Sequence, residues 1–203
     1  MINDEVIRSD LLSLSPEKFY IKHIVKSYNW YFSEYLKIPD SEIVDKMDCF
    51  CEIVSSHLGI SFHNCQIVGS AKIGYSLSPR KLLIPFHDGT ADTPSSDIDI
   101  AIISNGLFVE YWDKLRKTEK LHLKAYYAEI TRSIYRGYVN DKQLCKIERI
   151  REEWDDKVAI VNKSLQDKLR IEHPVSYRIY RSWEDLEEYQ LIGIKQARTM
   201  LGG

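Results

Sequence analysis

The segment that most restricts how this chain can fold is Ser96-Asp97-Ile98-Asp99-Ile100-Ala101-Ile102-Ile103. Its run of branched aliphatic residues is the clearest strand in the sequence, spanning 98–104 and stopped by Asn105-Gly106. Side chains at i and i+2 of a strand share a face, so Asp97 and Asp99 project together while Ile98 and Ile100 enter the core. Two adjacent carboxylates repel each other and cost folding energy unless a cation or a proton neutralises them. Asp is depleted in strands, so a pair of them asks for a reason beyond a solvated face. Mg²⁺ supplies one: it takes hard oxygen ligands and keeps positions open for phosphate.

Around this strand the pattern is mixed α/β (α+β). Ser15-Pro16-Glu17 reads as a helix start, with a capping hydroxyl, a proline in the first turn and an acid suited to the helix dipole. Ile24, Tyr28, Tyr31 and Tyr35 follow at helical spacing. Pro39-Asp40-Ser41 opens a second helix whose face is Ile43, Met47, Phe50, Val54 and Leu58, ending at Gly59. Residues 61–68 read as a short strand, 71–77 as a helical turn, and 78–95, with Pro79, Pro85, Gly89 and Pro94, as a long loop of the kind that carries function. A helical stretch opens at Phe108 and runs, continuous or with a break, to about Tyr138. Another carries the stripe Ile147, Ile150, Trp154, Val158, Val161, Leu165 and Leu169, a core seam or a surface for a partner helix. Val175–Arg181 alternates as a strand, and Ser182-Trp183-Glu184-Asp185 resembles a capping box before the last helix. The expected organisation is an N-terminal helical extension over 1–60 and a core over 61–203 with a helical insertion at 107–170, joined in one compact unit.

The 203 residues are 44% hydrophobic and 29% charged, the composition of a folded globular protein. Twenty-eight Lys and Arg against 30 Asp and Glu leave a formal charge of −2. No global field draws nucleic acid, although a local basic patch stays open. No apolar run approaches the roughly 18 residues of a membrane span. The acidic opening Met1-Ile2-Asn3-Asp4-Glu5 is no signal peptide, so a cytoplasmic protein without a membrane partner is expected. Cys49, Cys51, Cys65 and Cys145 then read as free thiols, since the Cys49/Cys51 pair has no second pair at zinc spacing.

Upstream of the acidic strand lies Val68-Gly69-Ser70-Ala71-Lys72-Ile73-Gly74. Glycine lets the backbone approach a phosphate closely, and a helix beginning at Ser70 would offer free N–H groups and a favourable dipole. The Ser70 hydroxyl adds a donor. Lys72 either brings a positive charge to the same oxygens or points to water.

Together these residues resemble the signature of the DNA polymerase β-like nucleotidyltransferases: Gly-Ser, a glycine four positions after that serine, and a later Asp-x-Asp on a strand. The matches are Gly69, Ser70, Gly74, Asp97 and Asp99, covering about residues 65–103. The resemblance implies a small mixed sheet packed with helices, a nucleoside triphosphate donor (ATP first), and two Mg²⁺ (or Mn²⁺) ions held by Asp97 and Asp99. Gly69, Ser70, Lys72 and Gly74 are then nucleotide-binding residues. An acceptor hydroxyl, on RNA, protein or another nucleotide, would attack the α-phosphate. It also implies a bacterial defence or toxin–antitoxin setting. The sequence departs from the family in three ways. Ile73 stands where an arginine is common, the gap between Ser70 and Asp97 is long, and the candidate neighbouring strand Val175–Arg181 has no acid. Glu172, Asp88 and Asp92 are the carboxylates that could take that third place. Arg178 on that strand would instead favour an anionic ligand, unless it belongs to a solvated face. The alternatives are therefore a catalytically incomplete module that binds nucleotide or a partner protein, and a helical adaptor using the 147–169 stripe.

Overall fold

The computed structural model describes residues 4–26, 28–118, 124 and 126–202. Its centre is a four-stranded sheet in the order β1-β2-β4-β3, comprising β1 (Cys65–Val68), β2 (Ile98–Ile103), β3 (Tyr138–Asn140) and β4 (Val175–Tyr180). β1 runs antiparallel to β2, β4 parallel to it, and β3 antiparallel to β4. The protein is thus mixed α/β, with the small mixed sheet that the sequence pattern anticipates.

Strand alternation gives the sheet two different faces. Ile67, Ile98, Ile100, Ile102, Val139, Tyr177 and Ile179 are buried on the first. Helices that cover it include α3 (Asp40–Leu58), α5 (Asn105–Lys117) and α8 (Glu148–Leu169). The stripe of α8 is the core seam: Ile150, Trp154, Val158, Val161, Leu165 and Leu169 are all buried. Trp154 packs edge-on against Tyr111 and Tyr177 at centroid distances of 5.3 and 5.7 Å. α3 ends as expected, with Gly59 in the left-handed region. It belongs to the same core through Phe50, Ile53, Val54 and Leu58, so residues of the 1–60 segment pack directly with the sheet.

The second face is covered only in part. Val68, Ala101, Ile103, Tyr138 and Tyr180 pack there against Leu186 of α9 (Trp183–Gly202). Further along, Ile194 and Ala197 of α9 meet Ile7 and Leu11 of α1 (Asp4–Ser13) and Phe19 of α2 (Pro16–Tyr20). Ile73 of α4 (Gly69–Ile73), the single turn that follows β1, closes that cluster.

Two sequence readings are corrected. The helix expected from Ser15 through Tyr35 is broken: α2 runs into a wide turn at Ile21–Val25, and a second such turn spans Tyr31–Tyr35. The carbonyls at the break find side-chain donors in place of helical N–H groups. Gln66 Nε2 donates to Ile24 O at 2.9 Å and Lys72 Nζ to Lys26 O at 2.7 Å, and Asn29 Oδ1 restarts the chain by accepting from the Tyr31 N–H. Ile24 consequently packs with α9 while Tyr31 packs in the sheet core. Second, the stretch read as helical to Tyr138 ends earlier. α6 (Tyr127–Tyr135) gives way to a turn at Gly137, whose φ is +73°, and then to β3 and α7 (Asp141–Leu144). The 78–95 loop is pinned at Phe86, which packs among Trp30, Tyr31, Tyr35 and His173. Among the described residues, no helix is long and apolar enough to cross a membrane.

Candidate nucleotide-binding cleft

Where the second face is left uncovered, a cleft of about 490 Å³ opens between the start of β2, the end of β1 and α9. Asp97, Asp99, Gly69 and Ser70 all line it. A separate hollow of about 420 Å³ lies at the far end of β2 beside Ile103 and Ser104. It holds none of the expected residues, and its Arg181 is already paired with Asp185 at 2.8 Å.

The meeting of Gly69 and Asp99 follows from strand register. Val68 lies opposite Asp99 across the β1–β2 ladder, so the next residue passes beneath the carboxylate. Gly69 has φ +67°, and a Cβ there would stand 2.5 Å from Asp99 Oδ2. Both facts demand glycine. Across the other ladder Ser176 is the partner of Asp99, and its hydroxyl donates to Asp99 Oδ1 at 2.7 Å. Burial raises the Asp99 pKa and the neighbouring Asp97 pushes it the same way, while Arg178, the Ser176 hydrogen bond and Lys142 pull against them. Asp97 is the open member of the pair, with its side chain 42% exposed and Lys142 Nζ at 3.9 Å.

The rest of the motif goes elsewhere. Lys72 does not line the cleft. It is 3% exposed, its ammonium is taken by the Lys26 carbonyl, and burial pushes its pKa down to about 8. Gly74 is also outside the cleft. At φ +85° it caps α4, donating to Ser70 O at 2.7 Å, and a Cβ there would run into the Trp30 ring. α4 has only five residues, so what it brings to the cleft is close backbone and the Ser70 hydroxyl rather than the dipole of a full helix.

Among the described residues no third carboxylate joins the pair, and no group of three or more His, Cys, Asp or Glu is placed to hold a metal ion. Asp88 is engaged by Tyr35, which donates to it, and by His173, whose Nε2 lies at 3.2 Å. Glu172 and Asp92 are exposed and away from the cleft. Asp141 is occupied by backbone, accepting from Tyr177 N–H at 2.8 Å and Lys142 N–H at 2.6 Å. His87 lines the cleft, but its Nδ1 accepts the Gly89 N–H at 3.1 Å.

What stands beside the acids is positive. Arg178 lines the cleft with its guanidinium over the rings of Tyr189 and Tyr138, at 4.5 and 5.4 Å. Its Nη1 donates to Tyr180 Oη at 3.4 Å, and its Nε is buried without a hydrogen-bond partner. Arg178 is therefore no part of a solvated face. Lys142 and Arg136 line the same side. The sequence signal for this wall was the polar alternation of β4, which marks Ser176, Arg178 and Tyr180 as one face; Arg136 and Lys142 carried no signal of their own. The chain matches no protein-family model, and comparisons with curated proteins and with solved structures find no relative.

Proposed function

We propose that the cleft binds a nucleoside triphosphate together with one divalent cation, Mg²⁺ or Mn²⁺, on a site of the polymerase β-like nucleotidyltransferase kind. The observation that carries this reading is the convergence of Asp97, Asp99, Gly69 and Ser70 on one cleft, with Gly69 fitted beneath the Asp99 carboxylate. The donor set suits one hard cation. The two carboxylates line the same cleft, and Asp97 raises the cost of charging Asp99, a cost that a dication removes. The bound ion would neutralise the triphosphate oxygens. Asp99, fixed by the Ser176 hydroxyl, and the more open Asp97 would hold it. Ser70 would donate to a phosphate oxygen. Arg178, Lys142 and Arg136 complement an anion of high charge, and Arg178 does so from a desolvated, stacked position where a guanidinium is most effective. A second metal ion is not supported, since among the described residues two carboxylates share the cleft with four cations, Lys81, Arg136, Lys142 and Arg178, and leave no ligand set for it.

Nucleotidyl transfer to an acceptor hydroxyl is the second reading, and the paired acids beside Gly69-Ser70 favour it. Among the described residues it lacks a base to take the acceptor proton, because Ser176 and Arg178 occupy the neighbouring strand and Nδ1 of His87 is already accepting. One experiment separates the readings. Mg-ATP binding is measured for the wild-type chain, Asp97→Ala and Asp99→Ala, and α-labelled nucleotides are then incubated with RNA, protein and nucleotide acceptors. We expect saturable, metal-dependent binding that Asp99→Ala weakens by about a hundredfold, without label transfer. Label transfer or pyrophosphate release that both substitutions abolish would establish the transferase. Failure of the wild-type chain to bind any nucleotide would overturn both.

A further inference from the structure

The cleft extends past the acids along α9, and there Gly193 is out of keeping with its position. Glycine is disfavoured inside a helix, and Gly193 lies in the middle of a helix of 20 residues. Neither backbone nor packing requires it: its φ is not left-handed, and a Cβ built there meets nothing within 4 Å. The open space in front of it belongs to the cleft. Gln190 and Gln196, about one turn to either side, line the same space and bring two carboxamides, each a donor and an acceptor. The same cleft is lined by the apolar side chains of Leu77 and Ile84.

We infer that this part of the cleft is a nucleobase subsite, with Gly193 leaving room for the ring and Gln190 and Gln196 reading its edge. The inference rests on the nucleotide-binding reading and adds where the base goes. The chemistry points to a base rather than to a sugar or peptide. An apolar wall suits an aromatic face, bare helix backbone allows a flat group to approach, and carboxamides match the mixed donor–acceptor edge of a base, adenine in particular. The phosphate-binding residues and this wall line one cleft, so a single nucleotide can engage both.

Calorimetric titration of the whole chain with Mg-ATP and, separately, with Mg-tripolyphosphate tests it. Gly193→Phe, which fills the space, should weaken Mg-ATP by at least about tenfold while Mg-tripolyphosphate still binds. Retained tripolyphosphate binding also shows that the variant is folded. The double variant Gln190→Leu with Gln196→Leu keeps the space open and should weaken Mg-ATP alone. Wild-type affinity for Mg-ATP in both Gly193→Phe and the double variant would overturn the subsite, as would wild-type binding of tripolyphosphate but not of ATP. Binding of neither ligand by the wild-type chain would remove the nucleotide-binding reading, and the subsite with it.

Discussion

The two faces of the sheet are made by the same strands with the same alternation, yet one is a finished core and the other becomes a cleft. On the first face, β2 and β4 pair Ile100 with Tyr177 and Ile102 with Ile179, all buried. On the second, β2 reads Ile103, Ala101, Asp99 towards its start, with Asp97 just before the strand, and β4 reads Tyr180, Arg178, Ser176. Polarity therefore changes along the strands and not only across them. The apolar end of the second face accepts Leu186 of α9, and the polar end excludes such packing. A parallel pair like β2 and β4 is usually buried on both sides; here the acids at its start are what keep one side open.

If that contrast is right, damage to the first face should cost stability without touching the cleft's chemistry. Trp154 is 1% exposed and wedged between Tyr111 and Tyr177. Trp154→Ala should lower unfolding free energy by about 3–5 kcal/mol, the largest effect anticipated, as read by denaturant titration. Nucleotide affinity of the remaining folded fraction should be unchanged. A loss below about 1 kcal/mol would mean that this face is not the packed one.

A second prediction sharpens the boundary between core and cleft at Lys72. Its ammonium is buried with a pKa pushed down to about 8 from an ordinary value of 10.5. Between those values the unfolded chain binds more protons than the folded one, so stability rises with pH across that window. Lys72→Met removes the titrating group and should flatten that rise, by about 3 kcal/mol at most. Mg-ATP affinity should stay at the wild-type value. A tenfold weakening in Lys72→Met would return Lys72 to the phosphate site.

Lys72 also marks how far the sequence could be read. Period-two alternation placed Asp97 and Asp99 on one face and Ser176, Arg178 and Tyr180 on another, and the sheet joins those two faces as one, because alternation depends only on the backbone pleat. The cap at Gly59 and the stripe on α8 were legible for the same local reason. What local pattern could not tell was where a long flexible side chain ends. Lys72 lies three residues from Gly69, yet its amine is taken by the Lys26 carbonyl, freed where the turn at Ile21–Val25 ends. The donors that satisfy the break, Gln66 and Lys72, lie far along the chain, so the regular spacing of Ile24, Tyr28, Tyr31 and Tyr35 suggested one helix where there are separate turns. Arg136 and Lys142 reach the cleft from a three-residue strand and its flanks, too short to show any period.

The smallest effect predicted is also the one most tied to function. The Asp99 carboxyl is held above its ordinary pKa by burial and by Asp97, even after Arg178, Ser176 and Lys142 are counted against them. A raised carboxyl pKa means that the folded chain binds the proton more tightly than the unfolded one. The group's contribution to stability is therefore greatest below the ordinary carboxylate range and is lost as pH rises through the raised value. At neutral pH and without metal, Asp99 is then a net cost to folding. An asparagine side chain at this position would keep an oxygen for the Ser176 hydroxyl and remove the charge. Asp99→Asn should accordingly raise the melting temperature at pH 7 by about 2–4 °C, equivalent to roughly 1 kcal/mol, and this gain should fade as the pH falls below the ordinary carboxylate range, where Asp99 is protonated. Saturating Mg-ATP should reverse the order, stabilising the wild-type chain and leaving the variant unchanged. A melting temperature that falls in Asp99→Asn under metal-free conditions would show that Arg178 and Lys142 already satisfy the acid pair, and that the polar end of the second face is a closed ion-pair network with no need of a ligand.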